Sequence, residues 1–203
     1  MRSFTKRMMM ICLLMAQYAN AEIIPVAEFS DGKLQDWQAK IFSGKTTYRL
    51  TANSSNAQHT VLEAHSLAAA SGLIRKITID LRKTPYLNWS WKIQNILQGP
   101  DETSKAGDDY PARIYVVVSG GLAFWNSKSI NYVWANRLEI GSQWHNAYTN
   151  QARMLALQSG NQETGKWKME RRNVRDDFKA LFTTDVEYID AIAIMTDTDQ
   201  TKG

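Results

Sequence analysis

The chain has 203 residues, a formal net charge of +4 and a hydrophobic content of 44%, which suits one domain with an ordinary buried core. Arg2, Lys6 and Arg7 supply three of the positive charges and no acidic residue lies near them, so the rest of the chain has a net charge of only +1, which is 4 minus 3. Because nucleic-acid-binding domains carry a basic face, the sequence argues against a nucleic-acid partner.

Residues 1–21 have the organisation of a secretory signal peptide. Basic residues precede an apolar run at 8–16, and the Ala-Asn-Ala at 19–21 offers small residues to a signal peptidase. The run is shorter than the roughly 18–20 residues of a membrane-spanning helix. We therefore expect cleavage after residue 21, a periplasmic or secreted protein, and no stable membrane insertion after cleavage. Cys12 leaves with this segment, so residues 22–203 must fold without a disulfide.

The remaining chain alternates apolar and polar residues in short runs, which is typical of β-strands. We expect strands at 46–52, 58–66, 72–81, 87–93, 112–119, 129–135, 152–160, 166–174 and 187–197. The run 87–93 places two tryptophans on its apolar face, and 112–119 lacks alternation after Arg113, which favours a central strand. With no linker between these runs, the sequence predicts one all-β domain over 22–203, an antiparallel β-sandwich.

One segment departs from this pattern. Within 173–182, Val174 and Phe178 recur at helical spacing, and Asp176 and Asp177 lie near the start, where the helix dipole favours negative charge. The sequence predicts one short helix between the last two strands.

Several blocks of the chain resemble a known bacterial family. The segments "AGDDYPARIYVVV", "NYVWANR", "RRNVRDDFKALF" and "AIAIMTDTDQT" occur in an order and spacing similar to the domain-of-unknown-function family 3047. The resemblance implies a secreted jelly-roll domain, similar to galactose-binding and carbohydrate-binding domains, with no established activity. It also implies a further strand after the loop at 197–201; the sequence stops at residue 203, which leaves open a domain that lacks its final strand.

Asp108 and Asp109 lie just before the predicted central strand. As a functional site, their carboxylates would bind a hard cation or the hydroxyls of a sugar. As a structural feature, one of them would pair with Arg113 or cap the turn. Since breaking a buried ion pair costs roughly 3–5 kcal/mol, we favour the structural role and keep ligand binding as the alternative.

Two tryptophans, Trp125 and Trp144, lie in predicted loops beside the polar residues Asn126 and His145. An exposed aromatic ring flanked by polar groups is the usual way to hold a pyranose. The candidate ligand-binding residues are Asp108, Asp109, Arg113, Trp125, Asn126, Trp144 and His145.

Asp197 and Asp199 alternate in a loop, as oxygen ligands of calcium often do, although no EF-hand spacing is present. The sequence therefore leaves open a structural calcium ion at these residues and predicts no other cofactor. Serine-hydrolase, zinc-protease and phosphate-loop motifs are absent, so a catalytic alternative must rest on a carboxylate pair, such as Asp109 with Asp177 or Glu139.

Arg171, Arg172 and Arg175 flank the start of the predicted helix beside Asp176 and Asp177. Guanidinium groups bind carboxylates and phosphates, but the alternating signs favour pairing among these residues on a solvated face.

Our leading hypothesis is a non-catalytic secreted β-sandwich that binds a glycan or another polar envelope component through loops at 101–110, 122–130 and 141–148. The alternatives are a polysaccharide hydrolase that uses a carboxylate pair, and a structural or assembly partner that offers an edge strand to another protein.

Overall fold

The computed structural model describes residues 22–53, 56–121 and 126–202. The predicted signal peptide and Trp125 lie outside these ranges. The described ranges contain a 3-10 turn at Phe29–Asp31, eleven strands and one α-helix. The elements are β1 Gln38–Ser43, β2 Thr47–Asn53, β3 Asn56–His65, β4 Ala70–Asp80, β5 Tyr86–Trp91, β6 Arg113–Val118, β7 Lys128–Ala135, β8 Gln143–Asn146, β9 Thr149–Ser159, β10 Lys168–Asn173, α1 Val174–Phe182 and β11 Tyr188–Asp197.

Seven strands form the large sheet, in the order β1-β4-β11-β6-β7-β9-β8. Strand β6 lies between β11 and β7, which confirms the prediction of a central strand at this position. Strand β11, which precedes the last loop, pairs with β4 on one side and with β6 on the other. It is therefore an interior strand, and the edges of this sheet are β1 and β8. The strands pair antiparallel, as the sequence predicts, except that β7 and β9 run parallel.

A second layer covers one face of the large sheet and completes the β-sandwich. It consists of the hairpin β2–β3, the pair β5–β10 and helix α1. The indoles of Trp89 and Trp91 turn inward from β5 and pack on Tyr132 and Trp134 of β7, with ring centroids 5.4 and 6.0 Å apart. Burial of these large rings drives the two layers together, as the alternation in 87–93 predicts.

Helix α1 forms where the sequence predicts it. Asn173 caps its start, since its Oδ1 accepts a hydrogen bond from the backbone N–H of Asp176 at 3.3 Å, and Thr183 ends it in a left-handed conformation. Val174, Phe178 and Leu181 bury one face against the core. Among the residues that the structure describes, no helix is both long enough and apolar enough to cross a bilayer.

The opposite face of the large sheet is covered between β5 and β6 by residues 97–112, which we name the covering segment. This segment has no regular secondary structure, yet Tyr110 packs from it into a second buried cluster with Val133 and Met154. A tight bend at Gly107 brings the segment back on itself, so closely that a Cβ at this position would clash with the carbonyl oxygen of Asp101.

Glu102 fastens the covering segment to the turn after β7. Its buried carboxylate accepts hydrogen bonds from three successive backbone N–H groups, those of Asn136 at 2.8 Å, Arg137 at 2.9 Å and Leu138 at 2.6 Å. These donors have no strand partner here, and buried N–H groups must be paired. The carboxylate therefore replaces a missing piece of sheet.

We expect Glu102→Ala to lower the free energy of unfolding by about 3 kcal/mol, because it removes three charge-assisted hydrogen bonds and leaves the buried N–H of Asn136 without its acceptor. Urea denaturation measures the change. Glu139→Ala, in the same turn but exposed, is the matched control and should change stability little. Equal midpoints for the two variants would show that Glu102 does not fasten the segment.

Candidate ligand site at the covering segment

Three parts of the chain meet at one end of the large sheet. Arg113 is the first residue of β6, Asp197 is the last residue of β11, and Asp108 comes from the covering segment. The pairing of Arg113 with Met195 in the neighbouring strand places Asp197 within reach of the guanidinium. The fold thus joins residues that are 84 positions apart in sequence.

The guanidinium of Arg113 is the centre of this cluster. Its side chain is 3% exposed, and Nη2 donates to Asp197 Oδ2 at 2.7 Å and to the carbonyl oxygen of Asp108 at 2.9 Å. Nη1 donates to the hydroxyl of Tyr115 at 2.9 Å and lies 3.6 Å from Asp108 Oδ2. The guanidinium also lies 4.4 Å from the ring centroid of Tyr110. A single buried cation therefore links two strands and the covering segment.

Asp109 has a different partner from its neighbour. Its Oδ2 accepts hydrogen bonds from the backbone N–H groups of Gln200 at 3.1 Å and Thr201 at 2.6 Å, so it caps the turn after β11. Asp108 pairs with Arg113, and Asp109 holds a turn. The pairing of one aspartate with Arg113 is the contact that the structural interpretation of this doublet predicts; the turn that Asp109 caps follows β11 and does not precede β6.

The surface above the cluster is a rim that we define as Lys105, Asp108, Asn146, Tyr148 and Asp199. Asn146 Nδ2 donates to both carboxylate oxygens of Asp108, at 3.2 and 3.3 Å, and its Oδ1 accepts from the N–H of Tyr148 at 3.1 Å. The hydroxyl of Tyr148 donates to the carbonyl oxygen of Lys105 at 3.2 Å, although the residue is 57% exposed. The rim thus presents an aromatic ring that is tethered at both ends.

The model of a protein family, described as "Protein of unknown function (DUF3047)", matches residues 35–203. The chain belongs to this family. No curated protein matches the chain. In this DUF3047 protein the matched region contains every strand from β1 to β11, the buried cluster and the rim.

Carboxylates outnumber cations in the buried cluster. Burial raises the pKa of Asp197 to about 7 despite the opposing charge of Arg113. Burial also raises the pKa of Asp108 and of Asp199. The cluster therefore binds a proton more readily than separate aspartates in water.

Trp144 and His145 do not lie together on the rim. Both belong to β8 and not to a loop, so their side chains point to opposite faces of the sheet. Trp144 is half-buried against Tyr110, with ring centroids 6.3 Å apart, which makes it a support beneath the rim. The exposed His145 pairs with Arg153, on the side away from Asp108.

Asn126 is also far from the cluster. It precedes β7, whose first residue, Lys128, pairs with Val118 at the last position of β6, whereas Arg113 begins β6. Asn126 therefore lies at the end of the β6–β7 hairpin opposite Arg113, and the prediction that it joins the same rim is wrong. Residues 122–125 of the predicted loop lie outside the described residues.

The calcium hypothesis meets a constraint at Asp197. Its Oδ2 is held by Arg113 and its Oδ1 accepts from the N–H of Tyr110 at 3.0 Å, so a cation would have to displace one of them. Residues 22–53, 56–121 and 126–202 contain no cluster of three or more His, Cys, Asp or Glu side chains arranged for a metal. A calcium ion at Asp197 and Asp199 stays a prediction.

The carboxylate pair of Asp109 and Asp177 does not form. Asp177 accepts hydrogen bonds from Tyr132 Oη at 2.6 Å and from Arg172 Nε at 2.9 Å, on the face covered by β5, β10 and α1. Asp109 lies in the covering segment on the opposite face, and Glu139 is exposed. The sheet separates the two aspartates that the catalytic alternative would bring together.

Sequence reasoning missed Lys105 and Tyr148 of the rim and Glu102, which fastens the covering segment. Glu102 and Lys105 lie within the predicted loop 101–110 and Tyr148 within 141–148, but nothing distinguishes them there from ordinary surface residues. The one available signal is the aromatic ring at the end of "GSQWHNAY", in the same segment as Trp144, which the sequence favours as a stacking residue.

We expect acidic conditions to favour the folded state through Asp197. Its folded pKa of about 7 exceeds the value of about 3.9 in an unfolded chain, so its contribution to stability is complete below about pH 4 and is lost as the pH rises through about 7. Asp197→Asn cannot ionise. Its melting temperature relative to wild type should therefore rise by a few degrees between about pH 5 and about pH 8, measured by circular dichroism.

The control for this pH effect is Asp185→Asn. The hydrogen bond from Arg175 lowers the pKa of this exposed carboxyl group, so it stays ionised across that interval and its variant should follow wild type in parallel. If the Asp197→Asn and wild-type melting temperatures also run parallel, Asp197 does not take up the proton.

Proposed function

We propose that this DUF3047 protein is a non-catalytic, periplasmic or secreted domain that binds a saccharide on the rim. The observation that carries this proposal is the ring of Tyr148, which is exposed yet held by hydrogen bonds at its hydroxyl and at its backbone N–H. An isolated surface tyrosine needs no such tether for stability. A sugar-binding platform benefits from one, because a ring that is already ordered loses little entropy on binding.

The groups around the ring suit a saccharide. The Nζ of Lys105 lies 5.5 Å from the centroid of the Tyr148 ring, and Asp199, which also belongs to the rim, is partly exposed. An aromatic face packs on the C–H groups of a pyranose, while charged and amide groups at its margin bind the hydroxyls. Trp144, packed behind Tyr110, gives this corner of the sheet an aromatic base.

The electrostatic field at the rim favours a neutral or amino sugar. Burial raises the pKa of the Tyr148 hydroxyl, and the charges of Asp108 and Asp199 raise it further. The same carboxylates would repel an acidic sugar and attract a protonated amine.

The carboxylates under the rim suit positioning more than acid–base catalysis. Asp108 holds Asn146, Asp197 holds Arg113 and Asp109 holds the turn after β11. A glycosidase needs one carboxyl group that donates a proton and a second that attacks or activates water. Here each of the three is already engaged by a group of the protein.

The test is calorimetric titration of the protein with neutral oligosaccharides, amino-sugar oligosaccharides and acidic oligosaccharides. We expect neutral or amino sugars to bind and acidic ones to bind least. Tyr148→Ala should weaken binding about tenfold or more, because it removes the stacking surface. Tyr148→Phe keeps the ring but loses its hydroxyl tether, and should weaken binding less.

Tyr188→Ala is the control for this test, since Tyr188 is another exposed tyrosine at a different place on the sheet. Its affinity for sugar should equal that of wild type. The proposal fails if no saccharide binds, or if Tyr148→Ala and Tyr188→Ala bind equally well.

A further inference from the structure

A second polar surface lies on the opposite side of the sandwich, on the outer face of the pair β5–β10. Alternation divides β5 into two rows: Trp89 and Trp91 turn inward to the core, while Tyr86, Asn88 and Ser90 face outward and are exposed. These outward residues face β10 in a fixed register, with Asn88 opposite Arg171 and Ser90 opposite Met169. Residues of these two strands line an open depression of about 400 Å³, within the range of small-molecule sites.

The guanidinium of Arg171 is positioned without a carboxylate. It lies 3.7 Å from the centroid of the Tyr86 ring, which is itself 47% exposed. Other arginines near the surface behave differently: Arg49 binds Glu63 and Arg175 binds Asp185. Within the ranges that the structure describes, the side chain of Arg171 makes no hydrogen bond or ion pair, so its planar set of donors faces the depression unpaired.

The side chains of Asn88 and Ser90 resemble that of Arg171 in this respect. In the described part of the chain neither side chain has a hydrogen-bond partner, although both line the depression beside Arg171. Glu170 also lines it, but its Oε1 accepts hydrogen bonds from Trp91 Nε1 at 3.1 Å and Gln158 Nε2 at 2.7 Å, which direct its charge toward the interior. The donors that face outward are therefore a guanidinium, an amide and a hydroxyl.

Met169 adds an apolar contact to this surface. It is 86% exposed and lies next to Arg171 in the outward row of β10. A flexible thioether exposed beside polar donors can pack on the C–H face of a sugar ring. A guanidinium fixed on an aromatic ring binds a carboxylate through two parallel hydrogen bonds.

We propose that the outer face of β5–β10 is a second binding site, specific for a carboxylate-bearing saccharide. Arg171 binds the carboxylate, Asn88 and Ser90 bind hydroxyls, and Tyr86 holds the guanidinium in place. The site is independent of the rim, because the large sheet lies between them, and its preference for an acidic ligand is opposite to that of the rim.

The experiment titrates the full chain with an oligomer of galacturonic acid and, separately, with the methyl ester of the same oligomer. The free acid should bind and the ester should not, since esterification replaces each carboxylate that Arg171 would bind with a neutral methyl ester. Arg171→Gln should weaken binding of the acid about tenfold or more, and Arg171→Lys should weaken it by an intermediate factor, because lysine keeps the charge and loses the planar pair of donors.

Two controls separate this site from the rest of the molecule. Arg49→Gln removes another exposed arginine, from the hairpin β2–β3, and should leave affinity unchanged. Tyr188→Ala, which changes another exposed tyrosine that stacks on an arginine outside both surfaces, should also leave it unchanged. Circular dichroism and thermal melting verify that Arg171→Gln is folded, as expected for an exposed side chain.

Three results would overturn the proposal. Equal binding of the acid and its ester would show that the carboxylate is not recognised. Wild-type affinity in Arg171→Gln would place the ligand elsewhere. Competition by inorganic phosphate at the same concentration as the oligomer would show that the face binds small anions in general and has no selectivity for a saccharide.

Discussion

The buried guanidinium of Arg113 is the constraint on which this side of the molecule depends. A charge removed from water costs several kcal/mol unless it is paired and hydrogen-bonded, and the two terminal nitrogens of Arg113 find partners only when Asp197, Tyr115 and the covering segment are all in place. Each of these partners comes from a different part of the fold. The end of β11, the start of β6 and an irregular stretch of chain are therefore held in one arrangement.

The position of the exposed rim follows from that buried charge through a short series of contacts. Arg113 fixes Asp108, Asp108 orients the amide of Asn146, and Asn146 holds the backbone of Tyr148. A ring at a hairpin tip would otherwise move with its loop. Here its geometry is tied to a core residue, which is the kind of preorganisation that binding sites use.

The two faces of the large sheet are covered by different physical means. One face is covered by apolar packing of Trp89, Trp91 and Phe178. The stability from this packing depends on the apolar area buried and hardly on the direction of the contacts. The other is covered by chain without strands or helices, so carboxylates must supply the hydrogen bonds that a sheet would have supplied. Glu102 and Asp109 do this for backbone N–H groups at two separate turns.

This difference explains what could be predicted from the sequence. Alternation located the strands whose inner row packs on the core, including 87–93 with its tryptophans, and spacing located α1. The sequence does not predict strand β1, because all six of its residues are exposed, or strand β8, because it has only four residues. Arg113 and Asp108 lie five positions apart, so the sequence suggests their pairing. Asp197 is distant in sequence and lies beside them only because β11 pairs with β6.

The three arginines before and within α1 show the limit of grouping residues by sequence. The sequence predicts that the basic cluster of Arg171, Arg172 and Arg175 pairs with neighbouring acidic residues. Two members do so: Arg172 pairs with Asp177 and Arg175 with Asp185. Strand alternation separates the third, because consecutive residues of β10 face opposite sides. Arg172 turns inward and is satisfied, so Arg171 must turn outward. Among the residues that the structure describes, its guanidinium contacts the Tyr86 ring and pairs with no carboxylate, and a guanidinium left unpaired in this way suits recognition of a ligand more than stabilisation of the fold.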